Sequence, residues 1–170
     1  LDTTEFHGYR VHWVHGQSSP QLRSQIVAFW REQNALSDAH EAWRRTFEVA
    51  CIAVDQAGRI AGVSSVYSAQ HQALGAPYWF YRNFIDPEHR VNGLAQRMVR
   101  HTVERLAGAF AGEAGAPLGV IIVSENAKLD APAGQRQLNR LGFVRLGADQ
   151  AGRSVWQRRF AVPADGEAQA

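Results

Sequence analysis

The stretch from Tyr78 to Val123 limits the folds open to this chain more than any other part of it. An aromatic run, Tyr78 to Ile85, reads as a strand and stops at Asp86 and Pro87, because proline brings no N–H to a ladder. From Asn92 onward Ala95, Val99, Val103, Leu106 and Phe110 recur at i, i+3, i+4 spacing, while Arg97, Arg100, His101, Glu104 and Arg105 fill the other faces, which predicts an amphipathic helix. Pro117 to Val123 follows as a short apolar strand. Two strands joined by a helix form a crossover that sets them parallel.

The remaining elements read as antiparallel. Tyr9 to Val14 suits a first strand after a ragged start. Ser18, Ser19 and Pro20 open a helix to about Asn34 through Leu22, Ile26, Phe29 and Trp30, with a capping hydroxyl and a proline suited to the first turn. Ser37 or Asp38 caps a second short helix carrying Ala42 and Trp43. A β-rich run, Phe47 to Val54, is joined through Asp55 to Gly58 to a second strand, Ile60 to Tyr67, as a hairpin. Ser68 to Pro77 reads as a polar connection. Ala133 to Leu141 is a short helix ended by Gly142, followed by Phe143 to Leu146 and a closing strand, Ser154 to Phe160. The expected fold is α+β, a mixed sandwich of helices flanking one mostly antiparallel sheet that contains a parallel strand pair. Residues 1–162 form one expected domain and 163–170 a mobile tail.

Composition removes several classes of function. A chain of 170 residues with 18 basic and 16 acidic side chains carries a net charge of only +2, too little to neutralise many phosphates, so no nucleic-acid partner is expected. No apolar run reaches the roughly 18 residues of a bilayer span, so no membrane partner is expected. A single cysteine, Cys51, rules out an internal disulfide and a Cys-x-x-Cys pair and fits a reducing, cytoplasmic setting. The seven histidines form no His-x-x-x-His cluster, and no catalytic metal is expected.

Arg90, Val91, Asn92, Gly93, Leu94 and Ala95 lie between the Tyr78 strand and the long helix. Their backbone amides can converge on an anion at the helix N-terminus. Gly93 permits close approach of ligand oxygens, Ala95 is small, and Arg90 either contacts the anion or braces the loop. A phosphate-bearing cofactor and a plain capped helix are both compatible with this segment. No Gly-Lys-Ser/Thr and no Gly-x-Gly-x-x-Gly is present, so P-loop and Rossmann readings drop out.

The same residues resemble the signature of the GNAT superfamily of acyl-CoA N-acyltransferases, Arg/Gln-x-x-Gly-x-Gly/Ala, through Arg90, Gly93 and Ala95. The element order is similar, as are Asn126 after the fifth strand and Gly142-Phe143 after the next helix, over roughly Tyr9 to Phe160. The resemblance implies a GNAT-like sheet with a splayed parallel pair and acetyl-CoA as co-substrate. It implies that Arg90 to Ala95 hold the pyrophosphate, that the backbone of Asn83, Phe84 and Ile85 pairs with the pantetheine arm, and that Asn126 lies against the cofactor. The reaction implied is acetyl transfer to a primary amine of a small molecule or peptide.

Two departures from the family pattern matter. The tyrosine that often protonates the leaving thiolate, four residues before the Gly-Phe glycine, is Leu138 here, and Ser124 or Asn139 are the nearby substitutes. The strand Tyr78 to Ile85 carries no carboxylate, which leaves Glu48, Tyr81 and His71 as candidates for proton transfer, each also readable as a surface or packing residue. Thiolate leaves readily, so direct attack by a neutral amine needs little acid catalysis. Trp30, Trp43, Trp79 and Tyr81 line either an acceptor pocket or the core. Arg44 and Arg45 read best as a solvated helix end, and as an anion site only if they face the pocket.

The leading expectation is an N-acetyltransferase with Ser124, Tyr81 and Glu48 as catalytic candidates. Its rivals are an acyl-CoA-binding sensor with little turnover and a transferase for a longer acyl chain. Exposed strand edges permit a homodimer.

Overall fold

The computed structural model describes residues 2–161; the expected tail at 163–170 lies outside the described residues. The element order is β1 (Thr3–Phe6), β2 (Tyr9–Trp13), α1 (Pro20–Glu32), α2 (Ala39–Arg45), β3 (Val49–Val54), β4 (Ile60–His71), β5 (Ala76–Ile85), α3 (Leu94–Phe110), β6 (Gly119–Ser124), α4 (Ala127–Asp130), α5 (Pro132–Arg140), β7 (Val144–Ala148) and β8 (Ser154–Arg159). The strands form one eight-stranded sheet in the order β1-β2-β3-β4-β5-β6-β8-β7. β5 and β6 run parallel, as the crossover predicts, in an otherwise α+β arrangement. Two compact units divide the described residues: one holds the chain up to Tyr67 and Tyr81–Val103, the other Ser68–Phe80 and the described residues from Glu104 on. β4, β5 and α3 each contribute residues to both.

In the first unit β3 is buried along its whole length, which is why it reads as an unbroken apolar run, Val-Ala-Cys-Ile-Ala-Val, instead of an alternating one. Ile52 and Val54 pack with Ile26, Phe29 and Trp30 of α1 and Ala42 of α2. Cys51 and Ala53 face the other way, against Val11, Ile85 and the α3 residues Leu94 and Met98. A register shift between Val49 and Cys51 turns Val49 toward α1, as a bulge does. The caps fall where the side chains allow them. Ser19 Oγ accepts from the Leu22 N–H at 3.1 Å, and Asp38 Oδ1 accepts from the Glu41 N–H. Between β3 and β4 the Asp55 N–H donates to the Arg59 carbonyl at 2.9 Å, closing the expected hairpin.

In the second unit β8 lies between β6 and β7, antiparallel to both. Tyr78, Ile121 and Val155 form a small core there, where Gln157 Nε2 donates to the Tyr78 hydroxyl at 2.7 Å. α5 ends as expected, with the Phe143 N–H returning to the Leu138 carbonyl at 3.0 Å.

Several boundaries differ from the sequence reading. The ragged start is a strand, β1, paired residue for residue with β2 from Thr3↔His12 to Phe6↔Tyr9. The polar connection at Ser68 is the continuation of β4 to His71, because ladder hydrogen bonds accept any backbone whose side chains can stand in solvent. The turn itself is only a short 3₁₀ segment, Gln72–Leu74, where His71 Nδ1 accepts from the Leu74 N–H at 3.2 Å. Residues 127–130 form α4, a helix that sequence reasoning passed over.

Candidate functional site

The loop between β5 and α3 lies wholly within the first unit. β5 ends where the Asp86 N–H donates to the Ala61 carbonyl at 2.9 Å and Pro87 starts a 3₁₀ turn. The first helical hydrogen bond of α3 runs from the Arg97 N–H to the Gly93 carbonyl at 2.9 Å. Amides before that point belong to the helix end, where partial positive charge collects. α3 is 17 residues long and has no acidic residue in its first turn to neutralise that end. Gly93 sits at φ +93°, which side-chain-bearing residues rarely adopt.

The loop is braced from two directions. Arg90 Nε donates to the Ile85 carbonyl at 3.2 Å, so the side chain clamps the loop to the strand end while remaining exposed. Phe6 of β1 lies directly under Gly93, where an added Cβ would come within 2.7 Å of its ring. Arg97 stands over the same ring, 5.6 Å from its centroid. Tyr9 Oη and His89 Nδ1 are 3.0 Å apart. The contacts of Phe6, Tyr9 and His89 at this loop were missed by sequence reasoning; the signal available was the aromatic pair Phe6 and Tyr9 flanking His7-Gly8. Val91 and Asn92 are exposed and Leu94 is fully buried. Ala95 packs toward the Val11 and Met98 core, so packing alone accounts for its small size.

β5 residues alternate between two environments. Phe84 joins the α1 side, edge-on to Phe29 at 5.9 Å between centroids; Ile85 joins the α3 side. Asn83 is exposed. The Tyr81 hydroxyl is buried with no hydrogen-bond partner of normal geometry. Burial pushes its pKa far up, Cys51 adds to the rise, and Asn83 and Ser64 partly offset it, so Tyr81 stays a neutral phenol. Nearby, Ser64 Oγ accepts from the Cys51 N–H at 3.2 Å, and Thr102 Oγ1 lies 3.3 Å from both Cys51 Sγ and Ser64 Oγ.

A cavity of about 310 Å³ opens on the α1–α2 side. Trp30, Leu36 and Phe84 supply its apolar wall, and Arg45, Arg82 and Ser65 its polar one. The arginines end a chain of alternating charges. Arg45 Nε donates to Glu41 at 2.7 Å, Arg44 bridges Glu41 (2.7 Å) and Glu48 (2.8 Å), and Arg82 Nη2 pairs with the other Glu48 oxygen. Hydrogen bonds from Arg44 and Arg45 hold the Glu41 carboxyl down to about 2. Glu48, named from sequence as a catalytic candidate, thus has both oxygens occupied by guanidinium groups. Arg45 lines the cavity, whereas the sequence reading favoured a solvated helix end for it; Arg44 fits that reading, with half its side chain exposed. Arg82 was overlooked, although one cation inside an aromatic strand was a visible signal.

Of the other candidates, Ser124 and Asn126 lie in the second unit. Ser124 Oγ accepts from the Asn126 N–H at 3.0 Å, and Asn126 Oδ1 accepts from the Lys128 N–H at 3.0 Å, capping α4. Leu138 is buried in α5, so its position provides no hydroxyl. Asn139 is exposed. His71 stacks on Phe80 at an interplanar angle of 11°. Trp43 is exposed beside Phe47, and Trp79 lies against Phe110. Among the described residues no group of three or more His, Cys, Asp or Glu is placed to hold a metal ion, and no helix is long and apolar enough to cross a membrane.

No protein-family model matches the sequence, and no curated protein matches it either. Solved structures do match the fold. The ribosomal-protein-S5-alanine acetyltransferase from Vibrio fischeri aligns with a TM-score of 0.64 at 15% identity, over 93% of this chain and 96% of its own. A GNAT-superfamily phosphinothricin acetyltransferase from Sinorhizobium meliloti, solved with acetyl-CoA, gives 0.64 at 16% identity over 98% and 95%. A GNAT-family acetyltransferase from Streptococcus pneumoniae gives 0.60 at 13% over 90% and 99%. With the parallel β5–β6 pair and the element order above, these alignments establish that the chain has the fold of the GNAT acyl-CoA N-acyltransferases.

Proposed function

We propose that the chain is an N-acetyltransferase that moves an acetyl group from acetyl-CoA to a primary amine. The observation that carries this reading is the Arg90–Ala95 loop. Gly93 at positive φ and the acid-free first turn of α3 leave the helix dipole available to a diphosphate, on a fold shared with acetyltransferases, although the Arg90, Val91 and Leu94 amides already donate to the Pro87, His89 and Val91 carbonyls. In this reading the loop holds the pyrophosphate, and the Asn83, Phe84 and Ile85 backbone borders the pantetheine.

The chemistry asked of the protein is modest. A C–N bond forms as the C–S bond of the thioester breaks. An ammonium acceptor first yields one proton to solvent, and the attacking amine passes a second to the departing sulfur. Orientation of a neutral amine against the thioester supplies most of the acceleration. Neither Tyr81, buried as a phenol, nor Glu48, held by two arginines, is needed as a proton carrier.

The test is calorimetric titration with acetyl-CoA, followed by free-thiol release across a panel of amines, amino acids and peptides. Binding with thiol release supports the transferase. Binding without release across the panel favours an acyl-CoA sensor, and absence of binding overturns both. Competition by longer acyl-CoAs decides the chain length, with tightest binding by acetyl-CoA expected.

A further inference from the structure

We infer that the amine acceptor is a small molecule carrying a carboxylate, such as a free amino acid, bound in the α1–α2 cavity with its carboxylate against Arg82 and Arg45. This inference rests on the transferase reading and names its substrate class. Four observations carry it. At about 310 Å³ the cavity is at the small end of ligand sites, which suits one amino-acid-sized molecule. Among the described residues its charged lining side chains are Arg45 and Arg82; they pair with Glu41 and Glu48, which do not line the space.

The charge count is unequal. Arg44, Arg45 and Arg82 face Glu41 and Glu48, three cations against two anions. One positive charge is left, the complement of one carboxylate and less than a phosphate monoester would need. Arg82 Nε is also a buried donor without an acceptor. A guanidinium cannot shed that cost by deprotonating, whereas an incoming carboxylate oxygen relieves it with a charge-assisted hydrogen bond. Arg45 spends Nε on Glu41, which keeps its two terminal nitrogens outside that bond.

The remaining wall sets the other end of the ligand. Trp30, Leu36 and Phe84 favour an apolar side chain over a charged one. The two guanidiniums also disfavour an ammonium beside them. A bound amine is therefore pushed toward its neutral, nucleophilic form, which is the step for which no protein base is in evidence.

The experiment compares each of the twenty L-amino acids with its own α-amide, by thiol release with acetyl-CoA and by calorimetric binding without it. The expected result is a kcat/KM at least about 10-fold higher for the acid than for the amide, largest for apolar side chains. Arg82→Gln is expected to raise KM for the acids more than it lowers kcat, and to shrink the acid-to-amide ratio below about 3-fold. Arg82→Lys restores part of the ratio, and acetyl-CoA affinity is unchanged in both variants. Arg45→Gln, at the cavity's other guanidinium, repeats the test if Arg82→Gln fails to fold.

Amides or phosphate-bearing amines used as well as the acids, peptides preferred over free amino acids, or a ratio untouched by either variant overturns the inference while leaving the transferase standing. Acid-selective binding that Arg45→Gln or Arg82→Gln abolishes, in a protein that does not bind acetyl-CoA, upholds the carboxylate site and overturns the transferase instead.

Discussion

Replacing Gly93 with alanine tests the loop, and the structure divides its cost into two separable parts. The first is backbone strain. At φ +93° a residue with a Cβ pays about 1–3 kcal/mol. The second is overlap, since the new Cβ would stand 2.7 Å from Phe6 Cζ. That ring is held edge-on by His7 and capped by Arg97, so relieving the overlap disturbs both neighbours, and overpacking of this kind costs about 1–3 kcal/mol. Gly93→Ala should then lose about 2–6 kcal/mol in urea denaturation. In a Phe6→Ala background only the strain remains, so the same substitution should cost about 1–3 kcal/mol less there. Four proteins, wild type, both single variants and the double variant, complete the cycle, with unchanged m-values as the check on two-state unfolding. An equal cost in both backgrounds refutes the overlap, and no cost in either refutes the positive φ. Gly93→Glu separates function from stability. It should abolish acetyl-CoA binding even with Phe6→Ala present, because the carboxylate repels a diphosphate wherever the ring stands.

The other predictions are shorter. Gly134 lies in α5 where an added Cβ would fall on the Lys128 carbonyl and Leu129 Cα of the α4 backbone. Gly134→Ala, ordinarily helix-stabilising by about 1 kcal/mol, should therefore destabilise by roughly 1–3 kcal/mol in denaturant melts; a gain in stability would contradict the close approach. Burial holds His15 below its ordinary 6.5, and burial, then Arg10, then His101 do the same for His12. The unfolded chain thus binds more protons than the native one just below pH 6.5. Stability from these two is complete above that pH and declines as pH falls through the folded values. His15→Gln should flatten that decline in melts at pH 7.5, 6.5 and 5.5, and an unchanged slope would assign it to other groups. Tyr81→Phe removes a buried hydroxyl with no hydrogen-bond partner of normal geometry, so stability should hold or rise and thiol release should stay within about twofold. A collapse of kcat with intact stability would make Tyr81 a proton carrier.

Local patterns made the order of elements readable. The α3 periodicity, the Ser19-Pro20 and Asp38 starts and the Asp55–Gly58 hairpin all act within a few residues, where side-chain spacing and capping chemistry decide the outcome. β1 escaped because four residues of mixed polarity become a strand only when β2 offers them a ladder. β4 ran on to His71 for the same reason. At the site the loop was legible because Gly93 and the following helix are contiguous in sequence. The brace beneath it was not, because Phe6 reaches Gly93 across 87 positions (93 minus 6).

The same division runs through the charged residues. The sequence alone determined that Arg90, Gly93 and Ala95 stand together at a helix start, and that Leu138 offers no hydroxyl. Tertiary structure decided that Arg90 spends its Nε on the Ile85 carbonyl and that Ala95 faces a core. It also decided that Arg45 and Arg82, 37 positions apart (82 minus 45), share one cavity and are paired with Glu41 and Glu48. Spacing along a chain specifies which side chains share a helix face or a turn. Which charges meet across elements depends on how separately formed helices and strands bury their apolar faces, and that is fixed only when the whole sheet assembles.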